Sequence, residues 1–331
     1  MQDDIPLVEV IRGGRVECTH RGHAVVCDAQ GGIVDAWGNP DAMFYPRSSA
    51  KMIQALPLVE SGAADAHSLR TDQIALACAS HIGAAYHTDP VRAWLSDLGL
   101  ADDDFRCGPQ EPSDRDARHA LIRAGETPCQ YHNNCSGKHC GFLTLNRHLG
   151  GGPDYIDAGH PVQQAVKAAF EDVTGMDSPG YGIDGCSAPN YATTTHGLAR
   201  AMASFASASG GNAREDAQVR LREAMMTHPE LISGEGRACT ELMRACEGRA
   251  AIKGGADGVY IAILPELRMG IALKITDGAS RASEPAVAAI LHRLGVIPDG
   301  HPALDRWMRP DQRNFAGRVT GRIQPVKALV G

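Results

Sequence analysis

The sequence predicts an α+β fold in which the two ends of the chain build one antiparallel sheet and the middle supplies a helical layer. Three observations predict it. Residues 7–38 alternate and turn as strands do, in the runs LVEVIRG, RVECTHRG, HAVVCDAQGG and IVDAWG, with glycine at the breaks. Residues 258–277, GVYIAILPELRMGIALKITD, give two more strand-like runs around a turn at Pro265-Glu266-Leu267-Arg268. Between these ends the apolar spacing is mostly that of helices.

Taken in order, the meander of residues 7–38 is followed by helical patterns at 48–62, 89–99, 115–124, 160–174, 190–206 and 214–228, and 280–294 reads as a closing helix. Gly150-Gly151-Gly152-Pro153 and Ser207 to Asn212 are loop-like, but neither is long enough for an interdomain linker. No internal repeat is present. The expectation is one domain over 1–331, with the terminal sheet at about 7–40 and 253–300 and the helical part at about 45–250.

Composition narrows the function. The chain has 331 residues, 43 % hydrophobic and 21 % charged, which is ordinary for a folded globular protein and argues against disorder. A net charge of −7 and a pI of about 6.0 leave no basic footprint for nucleic acid or an anionic membrane, so the expected partner is a small molecule. The opening MQDDIPLVEV is acidic where a signal peptide is positive, and no apolar run approaches the roughly 20 residues of a membrane span, which reads as a cytoplasmic protein. Ten cysteines in a chain this long suggest reduced thiols, some of them metal-binding, in place of a disulfide framework.

Lysine is scarce: six lysines (51, 138, 167, 253, 274 and 327) stand against 26 arginines. A site that needs an amine able to lose its proton cannot use arginine, so the position of each lysine is informative. In YPRSSAKMIQ, residues 45–54, Ser48 and Lys51 lie three apart at the start of a helical pattern whose apolar stripe is Met52, Ile53 and Leu56. A serine hydroxyl is a weak nucleophile until a base takes its proton, and a buried lysine can be that base. Alone, the pair reads more readily as a capping serine beside an exposed lysine.

Lys253-Gly254-Gly255 stands just before the strand-like run Val259 to Leu264. Serine β-lactamases and penicillin-binding proteins likewise combine a Ser-x-x-Lys helix with a much later Lys-Thr-Gly strand, although glycine here replaces the threonine. Ser80-His81 ends the apolar run Ile74 to Ala79, where a buried element would meet a cleft. His132-Asn133-Asn134-Cys135-Ser136-Gly137-Lys138-His139-Cys140 and the later Asp184-Gly185-Cys186 bring thiols and imidazoles close in sequence, a pattern that suits zinc. No Cys-x-x-Cys pair is present, so a site with fewer protein ligands, or no metal at all, fits better than a closed structural zinc site. Cys18, Cys27, Cys78 and Cys246 read as small buried hydrophobes, and His67, His228 and His292 as surface or helix-end residues.

Arg47-Ser48-Ser49-Ala50-Lys51, Ala77-Cys78-Ala79-Ser80-His81, the stretch His132 to His139, Gly182-Ile183-Asp184-Gly185-Cys186 and Lys253-Gly254-Gly255 together resemble the rhizobial-type (class 3) L-asparaginases, from about residue 7 to 297. The resemblance implies a serine β-lactamase-like (penicillin-binding-protein-like) fold, a homodimer, and hydrolysis of the L-asparagine side-chain amide to L-aspartate and ammonia. It implies Ser48 as nucleophile with Lys51 as its base, Ser80 with Lys253 as a second dyad, and Cys135, Lys138 and Cys186 as zinc ligands beside the substrate. Asp184 and Cys239 match further cleft residues; Arg47 is the candidate cation for the α-carboxylate, and backbone groups near Ser48 and Gly254 the candidates for the oxyanion. Two alternatives stay open: a glutaminase or other Ser-Lys amidohydrolase, and a non-catalytic zinc-binding protein.

Overall fold

The computed structural model describes residues 3–331. Its main sheet runs in the order Asp311–Arg313, Val319–Pro325, Ile5–Arg12, Arg15–Cys27, Met269–Ile275, Val259–Leu264 and Ala251–Gly255, with Ile33–Trp37 paired to the far half of Arg15–Cys27. Every pairing is antiparallel. The two ends of the chain therefore share one sheet, as expected. Two strands lie beyond the expected limit near residue 300: Val319–Pro325 pairs with the first strand in the register Val10↔Ile323, and Asp311–Arg313 forms the outer edge.

The residues of Val259–Leu264 (VYIAIL) are buried at every position, so both faces of the sheet are covered there. Helix Thr195–Ser207 packs on the central strands, and helix Ser280–Arg293 packs on the first strand, its C-terminal neighbour and the two central strands. Ile261 and Ile263 are fully buried, each contributing on the order of 1.5–3 kcal/mol.

The helical layer departs from the sequence reading in three places. The pattern at 48–62 is a 3-10 turn, Arg47–Ala50, followed by short helices Lys51–Gln54 and Leu56–Glu60. The 190–206 pattern begins with extended chain: Pro189–Tyr191 pairs with Tyr181–Ile183, and the helix starts only at Thr195. Helix Ser136–Leu149 was not expected at all, because Ser136 to Asn146 is buried on every face and shows no amphipathic period.

Candidate active site

Three segments converge at one end of the sheet. The Arg47–Ala50 turn is packed against the edge strand Ala251–Gly255, and Ser80 follows the helix Thr71–Ala77. Lys51 and Lys253 are both buried, each 1 % exposed. Lys51 Nζ donates to Ser80 Oγ at 3.0 Å and to the Ala79 carbonyl. Lys253 Nζ donates to Ser80 Oγ at 2.9 Å and to the Gly254 carbonyl at 2.6 Å. Ser80 Oγ is thus held between two amines. Burial, with the Lys51 charge adding to it and the Cys239 thiol opposing it, brings the Lys253 amine down to about 8.

Ser48 is half-buried and faces a cavity of about 430 Å³ that Arg47, Cys135, Asp184 and Cys186 also line. Sequence spacing puts the Lys51 amine toward Ser48; in the structure the same amine is directed to Ser80 Oγ and the Ala79 carbonyl, a long-range contact that local spacing does not carry. Arg47 enters this turn in the left-handed region, φ 54, a conformation that costs a non-glycine residue on the order of 1–3 kcal/mol. The Asn190 side-chain carbonyl accepts the Arg47 N–H at 3.2 Å and helps to hold the turn.

The edge strand explains why glycine follows Lys253. A Cβ on Gly254 would lie 2.8 Å from the Tyr260 ring, and one on Gly255 would lie 2.7 Å from the Pro46 carbonyl oxygen and 3.1 Å from the Ser49 nitrogen. The strand is pressed directly onto the turn that carries Ser48, and Tyr260 fills the space of the absent threonine. The Gly254 N–H donates to Cys239 Sγ at 3.1 Å, so this N–H is already engaged and Gly254 serves placement.

A second cluster adjoins the Ser48 cavity. Cys135 caps helix Ser136–Leu149, which puts Lys138 and His139 three and four residues on, on the same face. Lys138 Nζ lies 2.9 Å from Cys186 Sγ, which stands in the turn after Asp184. The adjoining Cys135 thiol, with the Lys138 ammonium adding to it against the burial, holds Cys186 far below the usual thiol range. The neighbouring Cys186, reinforced by burial, keeps Cys135 protonated, and its thiol donates to Asn134 Oδ1 at 2.9 Å. Burial disfavours the Lys138 ammonium, but the adjoining Cys186 and Cys135 outweigh it and raise that group.

All three side chains are buried. Two thiols on the wall of the Ser48 cavity stand together with an amine; to hold a soft divalent cation the Cys135 thiol and the Lys138 ammonium would each have to release a proton. Among the described residues no group of three or more His, Cys, Asp or Glu gathers as a metal cluster, so the set depends on the Lys138 amine as its third donor. His139 lies one residue beyond Lys138; its Nδ1 is 2.8 Å from the Tyr155 hydroxyl and its Nε2 is buried without a partner.

Arg47 and Asp184 are brought together, at 3.0 Å from Nε and 2.9 Å from Nη2 to Asp184 Oδ1, and the remaining Arg47 nitrogen pairs with Asp257. Arg47 is therefore neutralised by two carboxylates and is not a free cation for a substrate carboxylate. Asp257 was not foreseen; it sits in the Ala256-Asp257-Gly258 turn, where an aspartate reads as turn chemistry. Cys27, Cys78 and Cys246 are buried, as their neighbours suggested, whereas Cys18 is only half-buried.

A family model described as L-asparaginase II matches residues 8–325. The chain belongs to the L-asparaginase II family. The resemblance drawn from the five motifs holds at the level of the family. No curated protein matches the chain by sequence. Solved structures with a similar course include Mglu in its native form, at 14 % identity and TM-score 0.48 over 85 % of this chain and 66 % of that one, so the alignment spans slightly under two thirds of Mglu. A beta-lactamase from Mycobacterium bovis aligns at 14 % identity and TM-score 0.47 over 84 % of this chain and 95 % of that one. Among the described residues, no helix is long and apolar enough to cross a membrane.

Proposed function

We propose that this protein is an L-asparaginase that releases ammonia from the L-asparagine side chain through a Ser-Lys acyl-enzyme mechanism, with zinc held beside the substrate. The observation that carries the reading is Ser80 Oγ held within 3.0 Å of both buried amines, Lys51 and Lys253, next to the turn of Ser48. Ser48 Oγ attacks the carboxamide carbon, and its proton passes by way of Ser80 to a lysine amine. An amine brought down to about 8, as on Lys253, is poised to take and return a proton near neutral pH. The tetrahedral intermediate collapses as the nitrogen takes a proton and leaves as ammonia. Water then attacks the ester on Ser48, and L-aspartate departs as the serine regains its proton.

Asp184, on the wall of the Ser48 cavity, meets the substrate ammonium. Cys135, Lys138 and Cys186 would hold zinc, which supplies positive charge that orients a polar substrate group. The Ser-Lys machinery already supplies nucleophile and base, so a metal-activated water is not required. The ten free cysteines support a reducing, cytoplasmic location, and the family resemblance supports a homodimer. An ammonia-release assay on L-asparagine and L-glutamine tests the reading: turnover of asparagine supports it. Preferred turnover of glutamine, which differs by one methylene worth about 1–3 kcal/mol, makes the protein a glutaminase, and no ammonia from either removes the enzymatic reading.

A further inference from the structure

A guanidinium usually grips a carboxylate with two parallel N–H donors, one to each oxygen. Arg47 does not hold Asp184 in that way. Its Nε at 3.0 Å and its Nη2 at 2.9 Å both go to Asp184 Oδ1, which also accepts the Gly185 N–H at 2.8 Å. Among the described residues Asp184 Oδ2 makes no hydrogen bond. Asp184 lines the Ser48 cavity, so one of its oxygens is saturated and the other is left for a donor that enters there.

Asp257 accounts for the one-sided grip. Its Oδ2 pairs with Arg47 Nη1, the nitrogen that Asp184 leaves unused. The chain fixes this outer carboxylate: Asp257 sits in the turn after Lys253-Gly254-Gly255 with φ 58, and its carbonyl accepts from Lys274 Nζ on the strand Met269–Ile275. The Asp257 side chain is 64 % exposed against 15 % for Asp184, and Ala256 but not Asp257 lines the cavity, so Asp257 acts only through Arg47. One guanidinium with two carboxylates leaves a single net negative charge at this wall.

We propose that Asp257 is a positioning residue for substrates bearing an α-ammonium: by holding Arg47 Nη1 it keeps the guanidinium off Asp184 Oδ2 and reserves that oxygen for the ammonium. This rests on the asparaginase reading above. Without the Asp257 side chain the guanidinium is free to turn onto both oxygens of Asp184, and the net negative charge is lost. Both effects weaken the hold on an ammonium and leave Ser48 and the lysines untouched.

The test compares ligands that differ only in the α-ammonium. L-asparagine is compared with succinamate as substrate, and L-aspartate with succinate as a titrated product ligand, in the wild type, Asp257→Gly and Asp257→Asn. Glycine and asparagine both tolerate the left-handed backbone at this position, so neither variant strains the turn. In Asp257→Gly the KM for asparagine and the Kd for aspartate should rise about fivefold, the loss expected for one partly screened charge, with kcat largely kept. The values for succinamate and succinate should not worsen. Asp257→Asn, which keeps an acceptor oxygen for Nη1 but no charge, should recover part of the loss. An equal loss for both members of each pair would show a merely structural role and overturn the inference, as would unchanged aspartate affinity in Asp257→Gly. If asparagine is not turned over at all, the functional reading fails, and the aspartate and succinate titrations still decide whether Asp257 governs the hold on an ammonium.

Discussion

Lys253 Nζ and Ser80 Oγ lie 2.9 Å apart although 173 residues separate them in the chain, and the same oxygen is 3.0 Å from Lys51 Nζ. One hydroxyl therefore links both buried amines, so a proton taken up at one can be passed to the other without crossing bulk water.

The first prediction concerns pH. The Lys253 amine is brought down to about 8 from its ordinary value of 10.5, chiefly by burial. Below that value it is protonated and cannot accept a proton; above it the neutral base predominates. A profile of log kcat/KM should rise with pH and level off above about 8. In Lys253→Arg, which keeps the charge and removes the titratable amine, that inflection should vanish and the rate should drop about 100-fold or more. A flat wild-type profile from pH 6 to 9 would take general-base duty away from Lys253.

The second prediction concerns the edge strand. A threonine at position 254 would place its Cβ 2.8 Å from the Tyr260 ring, so Gly254→Thr should destabilise the fold by about 1–3 kcal/mol, read as a lower midpoint of thermal unfolding. Gly255→Ala would set its Cβ 2.7 Å from the Pro46 carbonyl oxygen and push on the turn carrying Ser48. That variant should lose kcat more than it loses stability. Wild-type activity in Gly255→Ala would show that the strand does not position the nucleophile.

The third prediction concerns metal. Protein purified without chelator should carry about one zinc per chain, the stoichiometry of a single three-ligand site, and Cys135→Ala or Cys186→Ala should empty it. Because thiolate and amine donors must be free of protons to bind metal, occupancy should fall as pH is lowered. Removing the metal should raise KM and leave kcat largely intact; loss of kcat at constant KM would point to a hydrolytic metal. Metal content and steady-state kinetics on stripped and restored protein check this together.

Much of the fold was legible because its strands alternate or run apolar between glycines, as in residues 7–38 and 258–277. The strand Val319–Pro325 (VTGRIQP) was not, since it is polar, contains glycine and buries few of its side chains. Helix Ser136–Leu149 escaped for the opposite reason: Gly137, Lys138, His139 and Cys140 are all buried, so no polar face marks the helical period. At the site, the spacing of Ser48 and Lys51 foretold a shared turn but not that the amine would extend to Ser80, which depends on a long-range contact between the turn and residues 79–80. The pairing of Arg47 with Asp184 and Asp257 is of the same kind: it joins three distant segments and no local pattern carries it.

The most direct test of the account is to look for a covalent acyl-enzyme on Ser48. L-asparagine is mixed with the wild type, Ser48→Ala and Ser80→Ala, the reaction is quenched in acid, and the protein mass is read alongside ammonia release. The account predicts an aspartyl adduct mapped to the peptide that contains Ser48 in the wild type, with no adduct and essentially no ammonia from a folded Ser48→Ala. An adduct on Ser80, or sustained turnover by Ser48→Ala, would contradict it and move the nucleophile to the hydroxyl held between the two lysines.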